Sequence, residues 1–443
     1  MSTTWLDGSR WLQGDPAPRN GEASWPALAA DGVASGGGAD PGRKVYCAGT
    51  HRTVTPAETV ARVRPLMAAM GITRIANITG LDCIGIPVVM VCRPNSRSIA
   101  VSQGKGLTLD AAKASGLMEA VETFHAETIT RPLILSTYRE VARSGSVVDC
   151  DRLPRATPNS VDPDEPLLWI EGHDLLGGTL RWLPYELVHT DYTLPPGPAS
   201  GSFPANTNGL ASGNHLLEAI SHGICEVIER DATTLWIQGG ARFRHGRSLR
   251  LDTVDEGECR ALLAQFARAE VAVRVWDTTS DVGVASFYCL VMGRDDRFTD
   301  PEFGAGCHPV RQVALLRALT EAAQARTTYI AGSRDDFSRH DYSAAGRARR
   351  QRQCRMLLDG MEERDFGDVP SWESETVQKD VEWLLRRLRS AGLEQVLAVD
   401  LTRREFGLPV VRVVIPGLEG PDRGGRGDYV PGPRAQAVRE SGA

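Results

Sequence analysis

The sequence predicts an α+β fold assembled from repeated units, each a strand, a glycine turn and a helix, that meet at one site. Three observations carry that prediction. One pattern is stated three times: Ala-x-x-Ser-Gly-Leu-x-Glu-x-x-Glu from Ala112 to Glu122, Ala-x-x-His-Gly-Ile-x-Glu-x-x-Glu from Ala219 to Glu229, and Ala-x-x-Arg-Ala-Leu-x-Glu-x-x-Gln from Ala314 to Gln324. Each copy follows a Gly-bearing segment: Gln103-Gly104-Lys105-Gly106, then Asn206-Thr207-Asn208-Gly209 through Gly213-Asn214, then Gly304-Ala305-Gly306-Cys307-His308. The copies lie roughly a hundred residues apart and each has strand-like runs of its own, a period too long for a solenoid.

Taken in order, residues 1–43 are rich in Gly, Ala, Pro and Asp without an apolar period and are expected to be a disordered extension. Thr55-Pro56-Ala57-Glu58 is a capping box with proline in the first helical position, and Val60, Val63, Met67 and Met70 supply the apolar stripe of a helix that Gly71 stops. Thr73–Thr79 and Ile84–Arg93 read as strands, and Ile99-Ala100-Val101-Ser102 leads into the first glycine turn. Residues 132–166 read as a proline-broken connection, and Leu167–Ile170 with Leu180–Leu183 as a hairpin. After the second unit come a short strand at Leu249–Asp252, a helix at Glu256–Ala269, and strands at Val271–Asp277 and Ala285–Met292. Beyond the third unit, the Arg-rich stretch from Arg347 to Arg355 reads as a solvated helix face or a basic arm for an acidic partner. Val377–Leu388 reads as a helix, and Val396–Leu401 and Val410–Ile415 as strands. Residues 44–434 are expected to form the catalytic domain and 435–443 a flexible tail.

On a helix, residues three and four apart share a face, so Ser115, Glu119 and Glu122 project together, as do His222, Glu226 and Glu229. Two carboxylates a turn apart ordinarily form a solvated face; three such copies behind glycines call for a neutralising partner, and a divalent cation is the simplest one. Carboxylates holding magnesium beside backbone amides that can approach phosphate make a nucleoside triphosphate site. Lys105 between two glycines is either a phosphate contact or an exposed turn lysine, since the Walker spacing is absent. His222 stands where Ser115 does, as a ligand contact or as a structural histidine capped by a neighbouring helix; Cys225 and Cys307 beside the motifs read as buried packing, with a sulfur relay as the lesser alternative.

The 443 residues carry a net charge of −6, which argues against a nucleic-acid surface as the main partner. The nine cysteines form no C-x-x-C pair, so a zinc site or redox dithiol is not expected, and reduced thiols suit the cytosol. No signal peptide or membrane-spanning run is visible, because the most apolar stretch, Ile84 to Cys92, is too short to cross a bilayer. The expected setting is cytoplasmic, with no membrane and no nucleic acid as partner.

From about Val45 to about Arg434 the sequence resembles the YcaO-domain family. The resemblance rests on Ser102-Gln103-Gly104-Lys105-Gly106, on Ser115, Glu119 and Glu122, on Asn206-Thr207-Asn208-Gly209-Leu210-Ala211-x-Gly213-Asn214, on Glu226-x-x-Glu229-Arg230-Asp231, and on Glu321-x-x-Gln324-x-Arg326. Thr320-Glu321-Ala322-Ala323-Gln324 and Tyr329-Ile330-Ala331-Gly332-x-Arg334-Asp335-Asp336 are most similar to the subgroup that occurs beside TfuA proteins. The resemblance implies a YcaO-like fold and ATP-dependent phosphorylation of a peptide backbone amide oxygen. Cyclodehydratase members then close a neighbouring Cys, Ser or Thr into an azoline, whereas members working with TfuA take sulfur from an external donor and make a thioamide.

The resemblance also implies that ATP and Mg2+ sit among the motif residues. Glu119, Glu122, Glu226, Glu229 and Glu321 would hold metal, and Lys105, Ser115, Arg230, Gln324 and Arg326 would contact ATP or its phosphates. Arg326 lies two positions beyond Gln324, on a different helix face, and is either such a contact or a salt-bridged structural residue. Azoline-forming members commonly end in Pro-x-Pro-x-Pro; here Pro431-Gly432-Pro433 supplies only part of that run and ten residues follow it, which favours thioamidation. The implied partners are a TfuA-like protein, a peptide or protein substrate and a sulfur donor, and a homodimer is compatible with the resemblance. The readings left open are an azoline-forming cyclodehydratase and a non-catalytic nucleotide-binding accessory factor.

Overall fold

Thr55 opens the first helix, α1 (Pro56–Val63), with a reciprocal cap: its hydroxyl accepts from Glu58 N–H and the Glu58 carboxylate accepts from Thr55 N–H. Gly71, at φ +70°, then turns the chain where other residues would be strained. The computed structural model describes residues 42–143, 145–157, 162–195, 201–293, 300–337, 339, 342–358, 363–421 and 429–442. The expectation for residues 1–43 therefore falls outside the described residues except at Gly42 and Arg43, where Arg43 bridges to Thr376.

Strands β1 (Arg74–Asn77), β2 (Val88–Cys92) and β3 (Val101–Lys105) form an antiparallel sheet in that order, followed by α2 (Leu109–Glu127). Next come β4 (Leu133–Thr137), α3 (Tyr138–Ala142), β5 (Pro166–Asp174), β6 (Thr179–Pro184), β7 (Leu210–Ser212), α4 (Leu216–Gln238), α5 (Gly240–Arg244) and α6 (Gly257–Arg268). A second antiparallel sheet contains β8 (Val271–Asp277), β9 (Ser286–Gly293) and β10 (Glu302–Cys307), and α7 (Arg311–Ala331) follows it. The chain closes with α8 (Ala344–Leu358), α9 (Val377–Ser390), β11 (Leu397–Asp400), β12 (Val410–Val414) and α10 (Pro433–Gly442). The central six-stranded sheet runs β4-β5-β11-β12-β7, with β6 also paired to β5.

Alternation along β12 shows how that sheet is buried on both faces. Val410 and Val414 join the core shared with Leu117 and Val121 of α2, while Val411 and Val413 join the core shared with Ile220 and Ile224 of α4 and Leu384 of α9. A third core fills the space among α6, α7 and the β8–β10 sheet. No helix of the described residues is long and apolar enough to cross a membrane.

The strand–helix units are present as β3–α2, β7–α4 and β10–α7, but the glycines in them act differently from expectation. Gln103-Gly104-Lys105 and Gly304-Ala305-Gly306-Cys307 are strand, not flexible turn. Their glycines let a helix backbone lie against a strand backbone: a Cβ on Gly104 would sit 2.0 Å from Ala112 O, one on Gly304 would sit 2.3 Å from Ala318 O, and one on Gly306 would sit 2.1 Å from Ala314 O. In the middle unit a Cβ on Gly209 would instead sit 2.1 Å from Val413 O, on the neighbouring strand β12.

Three further expectations are corrected. The connection at 132–166 contains β4 and α3, with Thr137 capping α3 by a second reciprocal box with Glu140. Leu249–Asp252 is no strand; Ser248 and Leu249 make single bridges to Trp276 and Arg364, and Leu251–Thr253 is a 3₁₀ turn. Residues 435–442 of the expected flexible tail lie in α10, fixed at its start by Arg434, which donates from Nε and Nη2 to Asp231 at 2.9 and 3.0 Å. A guanidinium matched to a fully buried carboxylate holds the segment in place.

Candidate active site

The carboxylates of α2 are positioned from β7. Ser212 donates its N–H (2.8 Å) and its hydroxyl (2.7 Å) to Glu122 Oε1. Glu119, one turn earlier, accepts from the backbone N–H of Gln103 and faces Lys105, Arg334 and Glu226. On α4, Glu229 pairs with its neighbour Arg230 at 3.1 Å, and Glu226 lies between Arg230 and the α2 acids. On α7, Glu321 accepts from Lys105 Nζ at 2.7 Å and from Ala305 N–H at 3.3 Å. Three helices that follow one another at intervals of roughly a hundred residues thus bring Glu119, Glu122, Glu226, Glu229 and Glu321 to one place.

Burial is the largest influence on every one of these acids. It pushes Glu119 up to about 7 despite Lys105 and Arg334, and Glu226 up to about 7 despite Arg230. Burial pushes Glu122 up to about 8 against the Ser212 hydroxyl bond, with Glu226 and Glu119 adding like charge. Glu229 is also raised by burial, against Arg230. Glu321 is the exception: against the cost of burial, Lys105 and Arg230 hold it well below the usual carboxylate range. Burial thus outweighs the nearby cations at four of the acids, whereas at Glu321 the cations outweigh burial.

The remaining residues divide clearly. Lys105 lies on a strand, ion-paired to Glu321, rather than exposed on a turn. Ser115 is half-buried on α2 one turn before Glu119. Gln324 has a buried Oε1 without a hydrogen-bond partner among the described residues. Arg326 is salt-bridged: it is 3% exposed and its Nε donates to both oxygens of Asp82, at 3.1 and 3.0 Å. His222 is capped from the neighbouring helix, accepting from Arg317 Nη2 at 2.6 Å, and burial with Arg317 and Arg52 keeps its ring neutral. Cys225 and Cys307 are buried, and burial pushes the Cys307 thiol up.

Sequence reasoning missed two cations. Arg317 stands in the third copy where Ser115 and His222 stand in the first two, so the repeat itself marked it. Arg412, 2% exposed on β12, faces Glu226; only the fold brings it there.

Among the described residues no three His, Cys, Asp or Glu side chains form a ready cage for a metal ion. That suits Mg2+, which binds through one or two carboxylates, water and the phosphates of its nucleotide rather than through an all-protein cage. The donor set fits: hard carboxylate oxygens short of positive charge, an unpartnered amide oxygen on Gln324, and Lys105, Arg230 and Arg317 as phosphate counter-charges.

Fold and site together define an α+β protein in which three helices gather carboxylates and cations of the kinds that suit magnesium and phosphate. A family model described as YcaO cyclodehydratase, ATP- and Mg2+-binding, matches residues 103–419. A protein of Rhizobium leguminosarum bv. trifolii, described as an uncharacterized protein in the tfuA 3' region, is 36% identical over 83% of this chain and 88% of its own length. The structure of YcaO from Methanopyrus kandleri bound with AMPPCP and Mg2+ is 26% identical, with a TM-score of 0.68, and matches 85% of this chain and 94% of that one. A heterocyclase solved in complex with substrate and cofactor has a TM-score of 0.73 at 24% identity; it matches 85% of this chain, which spans only 54% of the heterocyclase. The chain belongs to the YcaO family, and its fold is the YcaO fold.

Proposed function

We propose that this chain activates a peptide backbone amide by ATP-dependent O-phosphorylation and installs a thioamide together with a TfuA-like partner. The observation that carries the activation step is the division of charge in the site: carboxylates without sufficient cations beside cations fixed by Glu321 and Glu229. An amide carbonyl is a poor electrophile, and phosphorylation turns its oxygen into a leaving group; such a transfer needs alignment and charge neutralisation more than covalent help. When bound, Mg2+-ATP supplies the phosphoryl group and spreads its charge over the metal.

In this reading Glu119, Glu122 and Glu226 hold the metal, giving up protons as they do so. Lys105 and Arg230 are oriented towards phosphate by Glu321 and Glu229. Ser115 and Gln324 offer polar contacts without adding charge. Arg326 serves as a structural partner of Asp82.

Two features support thioamidation over ring closure. The similar Rhizobium protein is described by its position beside tfuA, and Pro433 begins helix α10 instead of continuing an extended proline run. The family model's description as a cyclodehydratase favours the second reading, azoline formation. Incubation of the chain with ATP, Mg2+, a TfuA-like protein, a sulfide source and a peptide encoded nearby is expected to give a sulfur-for-oxygen mass gain. Loss of water without added sulfide would establish azoline formation instead. Unchanged modification by Glu119→Gln or Glu229→Gln in cells, with ATP binding lost, would make the chain an accessory factor.

A further inference from the structure

The Arg334-Asp335-Asp336 motif is not used by the site as described so far, yet it lies at its edge. Helix α7 ends at Gly332, whose φ of +56° reverses the chain. The loop that follows is fastened to the opposite wall, because Asp335 Oδ2 accepts from the N–H of Ala100, just before β3. This brings Arg334, from the end of the third unit, to face Glu119 of the first. Its Nε and Nη2 donate to the two oxygens of Asp336, at 2.8 and 2.5 Å, and its guanidinium lies 5.8 Å from the centre of the Phe337 ring.

Arg334 differs from the other cations of the site in what holds it. Lys105 is fixed by Glu321, Arg230 by Glu229, Arg317 bonds His222, and Arg326 is enclosed with Asp82. These partners lie on the site's own helices or in the interior. Arg334 is held by an acid two residues away on its own loop, and the two side chains are 30% and 39% exposed. A partly exposed pair of this kind binds weakly, whereas a phosphate offers a guanidinium more charge and the same two-oxygen geometry. Tethering by Asp335 keeps the loop near the acids while the side chain remains free to exchange partners.

We propose that Arg334 is the movable cation of the site, exchanging Asp336 for the terminal phosphate oxygens of a bound nucleoside triphosphate and so distinguishing triphosphate from diphosphate. The inference rests on the nucleotide reading of the site and adds a residue to it. Calorimetric titration of the full chain with Mg2+-AMPPCP and with Mg2+-ADP tests it. Arg334→Gln is expected to weaken AMPPCP binding about tenfold while leaving ADP binding within about twofold. Asp336→Asn, which removes the competing acid, is expected to tighten AMPPCP and leave ADP unchanged.

Equal loss of both nucleotides in Arg334→Gln would make the guanidinium a prop for its loop, and no change in either would remove it from the site; each result overturns the proposal. Thermal unfolding of both variants at the wild-type temperature shows that the loop and fold are intact. Wild-type chain that bound neither nucleotide would defeat the nucleotide reading itself, a result distinct from failure of Arg334 alone.

Discussion

Helices α2 and α7 answer to the same sequence pattern, yet they carry opposite electrostatic states. On α2, Glu119 and Glu122 are both raised by burial, and neither has a cation bonded to it among the described residues. On α7 there is one acid where α2 has two, and Glu321 is bonded by Lys105 and faced by Arg230. The difference shows that a repeated acidic helix need not repeat its job. In the proposed site the α2 acids exchange a proton for a metal, whereas Glu321 holds Lys105 and faces Arg230, and a second carboxylate at Gln324 would draw those cations away. The supports differ less: both helices lie on a strand whose glycines admit backbone contact, Gly104 under α2 and Gly304 with Gly306 under α7.

The comparison breaks most visibly if the α2 acids can be spared. Glu119→Gln with Glu122→Gln should lower Mg2+-dependent ATP turnover by at least about a hundredfold and abolish the magnesium dependence of nucleotide binding. Glu321→Gln should weaken nucleotide about tenfold while leaving the magnesium titration in place. Equal damage to magnesium affinity by both changes would erase the distinction between the helices.

The shared support is tested by Gly104→Ala and Gly306→Ala. Each added methyl meets a helix carbonyl near 2 Å, so each should cost about 2–3 kcal/mol or more in denaturant unfolding. Tolerance of either would mean that the helix can lift from its strand.

Proton linkage offers a third test. Glu119, Glu122 and Glu226 hold protons more tightly folded than unfolded, so in metal-free protein their contribution to stability is full below about pH 4.5 and is lost as pH rises through about 7 to 8. In the proposed site, magnesium would replace those protons. The rise in Tm on adding Mg2+ with AMPPCP should therefore be larger at about pH 8.5 than at about pH 6. A rise independent of pH would put the metal elsewhere.

The smallest effect is expected from Ser212→Ala, which removes one of two bonds to Glu122 Oε1. It should cost about 1 kcal/mol and move the magnesium titration to higher pH, since a bond to the charged carboxylate is lost. A shift to lower pH would show that the hydroxyl favours the protonated acid instead.

Much of this architecture was legible in the chain because it is local. The Thr55 capping box, the three-and-four spacing of the acids, the hairpin of β5 and β6 and the exact span of β8 follow from contacts within a few residues. The acidic residues of the three copies were read as one site, and the structure gathers them. Strand β4 and helix α3 were missed in a proline-rich stretch, because their pairing with β5 is a tertiary contact.

What the sequence by itself determined, then, is where the carboxylates stand on their helices, since periodicity and residue type are properties of a short segment. The tertiary structure decided what surrounds them. It pairs Lys105 with Glu321 across 216 positions, encloses Arg326 with Asp82 across 244, turns the glycines from hinges into contact points, and fastens α10 through Arg434 to Asp231. Ionisation, metal readiness and backbone approach depend on charges and atoms brought in from distant parts of the chain, and no window of local sequence contains them.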